Sequence, residues 1–176
     1  MPVAGKLTLN ENDRATRFSH DNEIAKPYYY KVQLDNGITT EIAPTERGAH
    51  LRFKFPKNQD AFLIFDGYTG LSEVNIDIKK HRITGYVNNG RGMQRFDGNF
   101  KNYFVIQFDK GFTASGIWDN TSNEKLEGKV SGEGKGIGAY LQFKQGQQVQ
   151  AKIASSYISI AQAELNLTSE LGKHKN

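Results

Sequence analysis

Chemistry at a protein site needs a nucleophile beside a base, paired acids, or a metal held by converging ligands. The chain of 176 residues contains no cysteine, which excludes thiol catalysis, thiolate metal sites and disulfides together. Its four histidines, His20, His50, His81 and His174, form no helical i, i+4 pair, and none lies near a second in sequence. No zinc centre is expected from that spacing. A serine nucleophile needs an elbow such as G-x-S-x-G, which the chain lacks. Gly132-Glu133-Gly134-Lys135-Gly136-Ile137-Gly138 lacks the G-x-x-x-x-G-K-[ST] order of a phosphate loop, and strand patterns follow it. It reads as a hairpin loop within a flexible, glycine-dense stretch, residues 128–138.

Cleaving a glycosidic bond takes two carboxylates at a set separation. Glu73 and Asp77 share a strand face but stand roughly 13 Å apart at the strand rise, which is too far. Asp21 and Glu23 would stand roughly 7 Å apart if extended, within the inverting range. Both sit beside Ser19 and Asn22 in a segment with loop composition, where local side-chain to backbone bonds account for them equally well. Spacing alone assigns no catalytic residue. For binding, Tyr86-Val87-Asn88-Asn89-Gly90-Arg91-Gly92-Met93-Gln94-Arg95-Phe96 mixes amides, arginines and rings between two strands. Amides and arginine offer the forked contacts that vicinal hydroxyls take, and rings offer faces for stacking. An ordinary long hairpin with Asn-Gly turn chemistry explains the same residues.

These side chains need a scaffold, and the scaffold reads as all-β. Eighteen glycines, eight tyrosines and eleven phenylalanines accompany only four prolines. Hydrophobic residues at 37% and charged residues at 24% suit one globular domain with a core of its own. Leu51-Phe53-Phe55, Val74-Ile76-Ile78 and Ala139-Leu141-Phe143 alternate with polar residues, as half-buried strands do. Ala61-Phe62-Leu63-Ile64-Phe65 and Tyr103-Phe104-Val105-Ile106 are apolar on both faces and read as central strands. Asp35-Asn36-Gly37 predicts a hairpin with a type I′ turn. About ten strands at short spacing predict an antiparallel β-sandwich. Residues 1–17 are polar and weakly patterned. At the other end Ile160, Ala163, Leu167 and Leu171 recur at helical spacing, with Ser159 and Gln162 as a capping box and Gly172 as a stop.

The net charge of +4 is small and dispersed. Its densest patch, Lys79-Lys80-His81-Arg82, lacks interleaved aromatics and predicts a solvated turn, so no nucleic-acid partner is expected. No apolar run approaches the roughly 20 residues of a membrane span. The opening Met1-Pro2-Val3-Ala4-Gly5-Lys6 carries no apolar core of a signal peptide.

A more specific pattern begins at Phe18-Ser19-His20-Asp21-Asn22-Glu23-Ile24-Ala25-Lys26-Pro27-Tyr28-Tyr29-Tyr30. With Val32-Gln33-Leu34 it resembles the F-S-H-x-x-E-x-A-x-P-x-Y-Y-x-V-x-L segment of glycoside hydrolase family 92, the calcium-dependent α-mannosidases. The stretch from Glu41 to Phe53 resembles that family's E-x-x-x-T-x-R-x-x-x-H-R-[YF] strand pair, with His50 displaced by one place. Ile83-Thr84-Gly85-Tyr86 and Tyr103-Phe104-Val105-Ile106-Gln107-Phe108 resemble its G-[YF] loop and its Y-F-V-x-x-F strand. Gly138-Ala139-Tyr140-Leu141-Gln142-Phe143 and the run from Ser156 to Leu167 resemble its closing strand and the helix that leaves the domain. One departure falls in the candidate loop, where Val87 stands at the family's arginine and no tryptophan follows.

The resemblance implies an N-terminal sandwich of the supersandwich, galactose-mutarotase-like kind, spanning 18–158. Residues 159–176 would then be a linker helix leading to a helical (α/α)6 catalytic domain of the same polypeptide. Catalytic acid, base and calcium ligands are expected on that domain, so Ca²⁺ belongs to the parent and not to this fragment. The family's opening P-F-x-G-T-G-G-H-G stretch would precede Met1. The implied parent is an exo-acting α-mannosidase of α-1,2 type acting on mannose-containing glycan, periplasmic or extracellular, with the isolated fragment inactive. Loops at the shared rim are where a sandwich can reach sugar. Asn88, Asn89 and Arg91 are the expected substrate contacts, with His20 and Glu23 as further candidates that also suit bracing of the domain interface. The alternative reading is a free-standing carbohydrate-binding or adhesion module. The C-terminal helix is expected to discriminate, because a self-sufficient module has no need of an apolar helix stripe with no strand beneath it.

Overall fold

A computed structural model of the chain describes residues 1–68, 70–88 and 100–172. The first strands are β1 (Pro2–Ala4), β2 (Phe18–Lys26), β3 (Tyr29–Leu34), β4 (Thr39–Pro44) and β5 (Gly48–Lys54). The middle of the chain gives β6 (Ala61–Phe65), β7 (Leu71–Asp77), β8 (Arg82–Asn88), β9 (Asn102–Phe108) and β10 (Ala114–Asp119). The rest gives β11 (Glu124–Leu126), β12 (Ser131–Lys135), β13 (Ile137–Phe143), β14 (Gln148–Ser156) and the helix α1 (Ile160–Leu171). These strands form two antiparallel sheets, ordered β1-β6-β13-β10-β11 and β12-β7-β8-β9-β14-β5-β4-β3-β2. The all-β sandwich is as expected.

Alternation builds the core between the sheets. Phe53, Val74, Ile76, Ile83, Phe104 and Ile106 of the large sheet meet Ala61, Leu63, Ile117, Leu141 and Phe143 of the small one. Ile78, expected on the same inward face, is 49% exposed. β7 ends at Asp77, and residues 78–81 form the solvated turn, with His81 at φ 51° and the Lys80 amide donating to Asp77 Oδ1 at 3.0 Å.

The two strands that are apolar on both faces each carry a third layer. On β9, Phe104 and Ile106 enter the core, while Val105 meets Ala163, Leu167 and Leu171 of α1. On β6, Leu63 enters the core, while Phe62 and Ile64 meet Val3, Leu9 and Trp118. The weakly patterned residues 1–17 are therefore the cover of the small sheet. Their polar character belongs to their outer side, and buried Arg14 ties them down by pairing with Asp66 and by lying 5.5 Å from the Trp118 ring centroid.

Helix α1 begins as read, with Ser159 as N-cap accepting the Gln162 amide at 3.1 Å, and it ends at Gly172. The Gln162 side chain does not complete the box but donates to Asn166 Oδ1 at 3.1 Å. The apolar stripe of α1 does have strands beneath it, since it packs on β14, β9 and β5. Four polar ties fasten it there. Arg47 Nε donates to Glu170 at 2.7 Å, Arg82 to Glu164 at 2.6 Å, Lys152 to the Leu171 carbonyl at 2.7 Å and Asn166 to the Ser155 carbonyl at 2.9 Å. The helix is a layer of this domain, so its stripe does not by itself call for a missing neighbour.

Three local expectations change. The 35–37 hairpin forms, but positive φ occurs only at Gly37 (83°), and Gly37 N donates to Leu34 O at 2.9 Å. That is a type I turn closed by a glycine bulge in a three-residue loop. The Asp35 amide is drawn to Arg17 O at 2.9 Å, which favours the longer loop. The glycine-dense stretch is not a loop. Ser131–Lys135 pairs with β7 as the edge of the large sheet, and the chain crosses to the small sheet at Gly136, φ 67°. A Cβ at Gly132 would come within 2.7 Å of Ile117 Cδ1, so its smallness serves packing. Residues 19–23 are likewise strand and not loop, within β2.

Candidate functional site

On β2 the register jumps from Phe18–Leu34 to Glu23–Val32, so residues 19–22 bulge against the single residue Gln33. Ser19 Oγ accepts the Asp21 amide at 3.2 Å within the bulge. The bulge carries His20 outward, 87% exposed at its side chain, and sets its Nδ1 2.6 Å from Glu23 Oε2. Tyr30 donates to the other oxygen, Oε1, at 2.6 Å. Both bonds favour the charged form, the Tyr30 bond foremost, and they hold the Glu23 carboxyl below its usual range. A general acid needs the opposite shift, so this bonding does not suit Glu23 to the acid's role. What this cluster leaves open to a ligand is the outer edge of the His20 ring.

Asn88 stands elsewhere, as the last residue of β8. Asn89 and Arg91 lie outside the described residues. Six inter-strand steps separate β8 from β2 in the sheet, roughly 29 Å of sheet width, so the two candidate segments do not converge. Asn88 belongs to the end of the sandwich where β4 turns into β5, β6 leaves for β7, and β9 begins. A cleft of about 420 Å³ opens there, with Arg47, Asp66, Tyr68, Val87, Asn102 and Ser155 in its lining. A second hollow of about 550 Å³ shares Glu46, Arg47 and Ser155 with it and extends to Tyr157, Ile158 and Gln162.

Three rings dress this rim, and sequence reasoning did not single them out. Phe100 and Tyr157 stack with centroids 5.0 Å apart and planes 27° from parallel. Tyr157 is 66% exposed. Tyr68 is partly exposed and takes φ 52°, a left-handed conformation that a bulky residue adopts at a cost. Asp66 holds that turn by accepting the Tyr68 amide at 2.7 Å, and it is fixed in turn by Arg14 and by Asn120 Nδ2 at 3.1 Å. Asn102 Oδ1 is buried in the cleft lining with no hydrogen-bond partner among the described residues. The available signals were Asp66-Gly67-Tyr68, which is turn chemistry carrying a ring, and the aromatic flanks of the candidate loop.

Tyr86, at the head of that loop, is removed from ligand contact. It is fully buried, donates its hydroxyl to Glu133 and lies under Lys101, whose Nζ is 3.7 Å from the ring centroid. Burial pushes its phenol pKa up. Its neighbour Gly85 is scaffold too, since a Cβ there would come within 1.8 Å of Glu73 O on the paired strand. The Gly-Tyr pair therefore anchors the strand that delivers Asn88.

Among the described residues no three of His, Asp and Glu come together as a metal site. No described helix is long and apolar enough to cross a membrane.

Comparison with known proteins bears on this geometry. Residues 1–156 match the model of the glycosyl hydrolase family 92 N-terminal domain. An uncharacterized secreted glycosidase of Arthroderma benhamiae is 26% identical over 94% of this chain and 24% of its own length. A family GH92 inverting mannosidase of Bacteroides thetaiotaomicron VPI-5482 superposes with TM-score 0.87 at 32% identity, over 99% of this chain and 24% of that one. A GH92 α-mannosidase of Bacteroides thetaiotaomicron superposes with TM-score 0.82 at 27% identity, over 99% and 25%. The chain thus spans about a quarter of the length of these relatives. By sequence and by fold it belongs to glycosyl hydrolase family 92, as the N-terminal domain of its mannosidases.

Proposed function

We propose that this domain serves an exo-acting α-mannosidase of α-1,2 type by supplying one wall of its sugar site while a helical domain of the same polypeptide performs the chemistry. The observation that carries this reading is the rim, where Tyr68, Phe100 and Tyr157 gather at the end of the sandwich from which Asn88 departs. Rings stack on the apolar faces of a sugar, and amides bond its hydroxyls. Asn88, Asn89 and Arg91 take substrate contacts in this reading, and His20 and Glu23 brace the domain interface. The exposed Ile158 just before α1 and Leu165 on its outer face suit the packing of the helical domain. Calcium acts in the parent enzyme through ligands outside this chain. The parent is exported, in keeping with the secreted relative and with substrates met outside the cytoplasm.

Alanine at Asn88, Asn89 and Arg91 together, in the full-length enzyme, tests the reading. Loss of sugar contacts raises KM or lowers kcat/KM tenfold or more, about 1.4 kcal/mol, with thermal unfolding unchanged. Unchanged kinetics on an α-1,2-linked disaccharide removes the loop from the site. The isolated domain releases no mannose with or without calcium in this reading, because the acid and base belong to the helical domain. Calcium-dependent release by the purified domain refutes this.

A further inference from the structure

The face of the large sheet that carries α1 holds a second, smaller hollow beyond the helix, away from the rim. Its volume is about 170 Å³, and Tyr29, Glu41, Ala43, His50, Arg52 and Gln150 lie in its lining. It arises from one small residue among large ones. Ala43 on β4 pairs with His50 on β5, and Tyr29 on β3 lies one residue beyond the Tyr30–Ile42 pair on the other side. Tyr29 and His50 thus rise from strands two steps apart, about 9.6 Å, with only a methyl group between them. Carbon atoms in contact sit about 3.5–4.0 Å apart, so a slot between two side-chain rings admits one further ring and little more.

The polar end of the slot is held in place and left partly open. Glu41 accepts the Tyr29 hydroxyl at 2.5 Å on one oxygen and Arg52 Nε on the other. That carboxylate orients both neighbours, and the Arg52 bonds keep its pKa at about 2, so the arrangement persists at neutral pH. Arg52 also interacts with the Tyr29 hydroxyl, and with 46% of its side-chain surface exposed its five-donor guanidinium still has N–H groups open at the mouth of the hollow. Gln150 adds an amide beside it, opposite Arg52 in the β5–β14 register. Burial and the charge of Lys152 lower the His50 pKa, and a bond with the Gln150 side chain holds the ring in place.

We propose that this hollow binds a single pyranose ring, stacked between Tyr29 and His50 over Ala43, with Arg52 and Gln150 taking its hydroxyls. A pyranose matches the slot because it combines an apolar C–H face with a rim of vicinal hydroxyls that both donate and accept. The volume falls below the roughly 300 Å³ at which drug-sized ligands begin, which selects one ring over a chain of them. The hollow shares no lining residue with the rim cleft or with the hollow beside that cleft. Only the choice of a mannoside as first probe rests on the proposed function.

The test is a titration of the ¹⁵N-labelled chain with methyl α-mannoside, methyl α-glucoside and methyl α-galactoside, with inorganic phosphate as a fourth arm. Binding is expected to shift the backbone amides of Ala43, His50, Arg52 and Gln150 with at least one pyranoside. Ala43→Leu, a change at an exposed position that fills the slot, should weaken those shifts tenfold or more and leave the remaining spectrum intact. Tyr29→Ala should weaken them similarly. A glucoside or galactoside binding in preference to the mannoside upholds the slot and counts against the mannose reading of the whole enzyme. The inference is overturned if no pyranoside moves these amides, if the shifts survive Ala43→Leu, or if phosphate alone produces them.

Discussion

The edge strand β2 and the rim at the end of β8 both concentrate residues suited to chemistry, and they treat them in opposite ways. On β2 the central carboxylate is satisfied within the cluster. Both Glu23 oxygens are bonded, and Ser19 and Asp21 bond one another. At the rim rings and a buried polar atom are held beside an open cleft. Tyr68 is kept in a costly conformation, Phe100 and Tyr157 stack in view of solvent, and the buried Asn102 oxygen has no described partner. Groups that complete one another stabilise a fold, whereas rings and polar atoms left open are where a ligand gains contact. Residue type alone does not separate the two cases, since the histidine and the carboxylate most suggestive of catalysis sit in the self-satisfied cluster.

The largest effect should follow from disturbing the strand that delivers the rim. Gly85→Ala sets a Cβ against Glu73 O at 1.8 Å, backbone against which no rotamer change helps. It should destabilise the domain by about 3 kcal/mol or more, read from urea unfolding. A cost below about 1 kcal/mol would show that β7 and β8 can separate at this point and that the Gly-Tyr anchor is not needed.

Next in size is the rim itself. Alanine at Tyr68 and Tyr157 in the full-length enzyme should lower kcat/KM about tenfold, near 1.4 kcal/mol. The Tyr68 change should leave stability nearly level, because alanine keeps the Cβ that makes positive φ costly and so neither adds nor removes that strain. If stability falls and kinetics hold, the ring serves the fold and the contrast with β2 collapses.

The smallest effect belongs to Glu23→Gln, and it has a pH signature. The Glu23 carboxyl is lowered from 4.5 by Tyr30 and then His20, so its contribution is present above about 4.5 and drains away as pH falls through the lowered value. The stability difference between the original and the variant should therefore be greatest near neutrality and vanish in acid, with kcat/KM unaffected throughout. A difference that grows in acid would contradict the bonding described for this carboxylate.

What the sequence made legible follows from how local each feature is. The α1 cap needs only Ser159 and Gln162, three residues apart, and it was readable. The two doubly apolar strands announced coverage on both sides but not what covers them. For β6 the cover is the polar-looking opening segment, for β9 a helix 55 residues downstream of Val105 at its first turn. Arg47 and Glu170 are 123 residues apart in the chain, and no spacing rule connects them. The glycine-dense stretch misled because glycine marks both flexible loops and strands pressed against a neighbour, and only the proximity of Ile117 distinguishes them. At the site, residue composition led to the 86–96 loop, and the family pattern led to His20 and Glu23. Tyr68, Phe100 and Tyr157 were invisible as a group because they come from three separate loops that meet only in the fold.

The central claim is that the rim meets sugar and the edge cluster does not, and one paired measurement addresses it. Steady-state kcat/KM on an α-1,2-linked mannobiose should be taken for two variants of the full-length enzyme, Asn88→Ala with Tyr157→Ala, and His20→Ala with Glu23→Gln. The account predicts a fall of tenfold or more in the first with its melting temperature kept, and unchanged kcat/KM with a lower melting temperature in the second. A loss of kcat/KM confined to the His20 and Glu23 variant would contradict it.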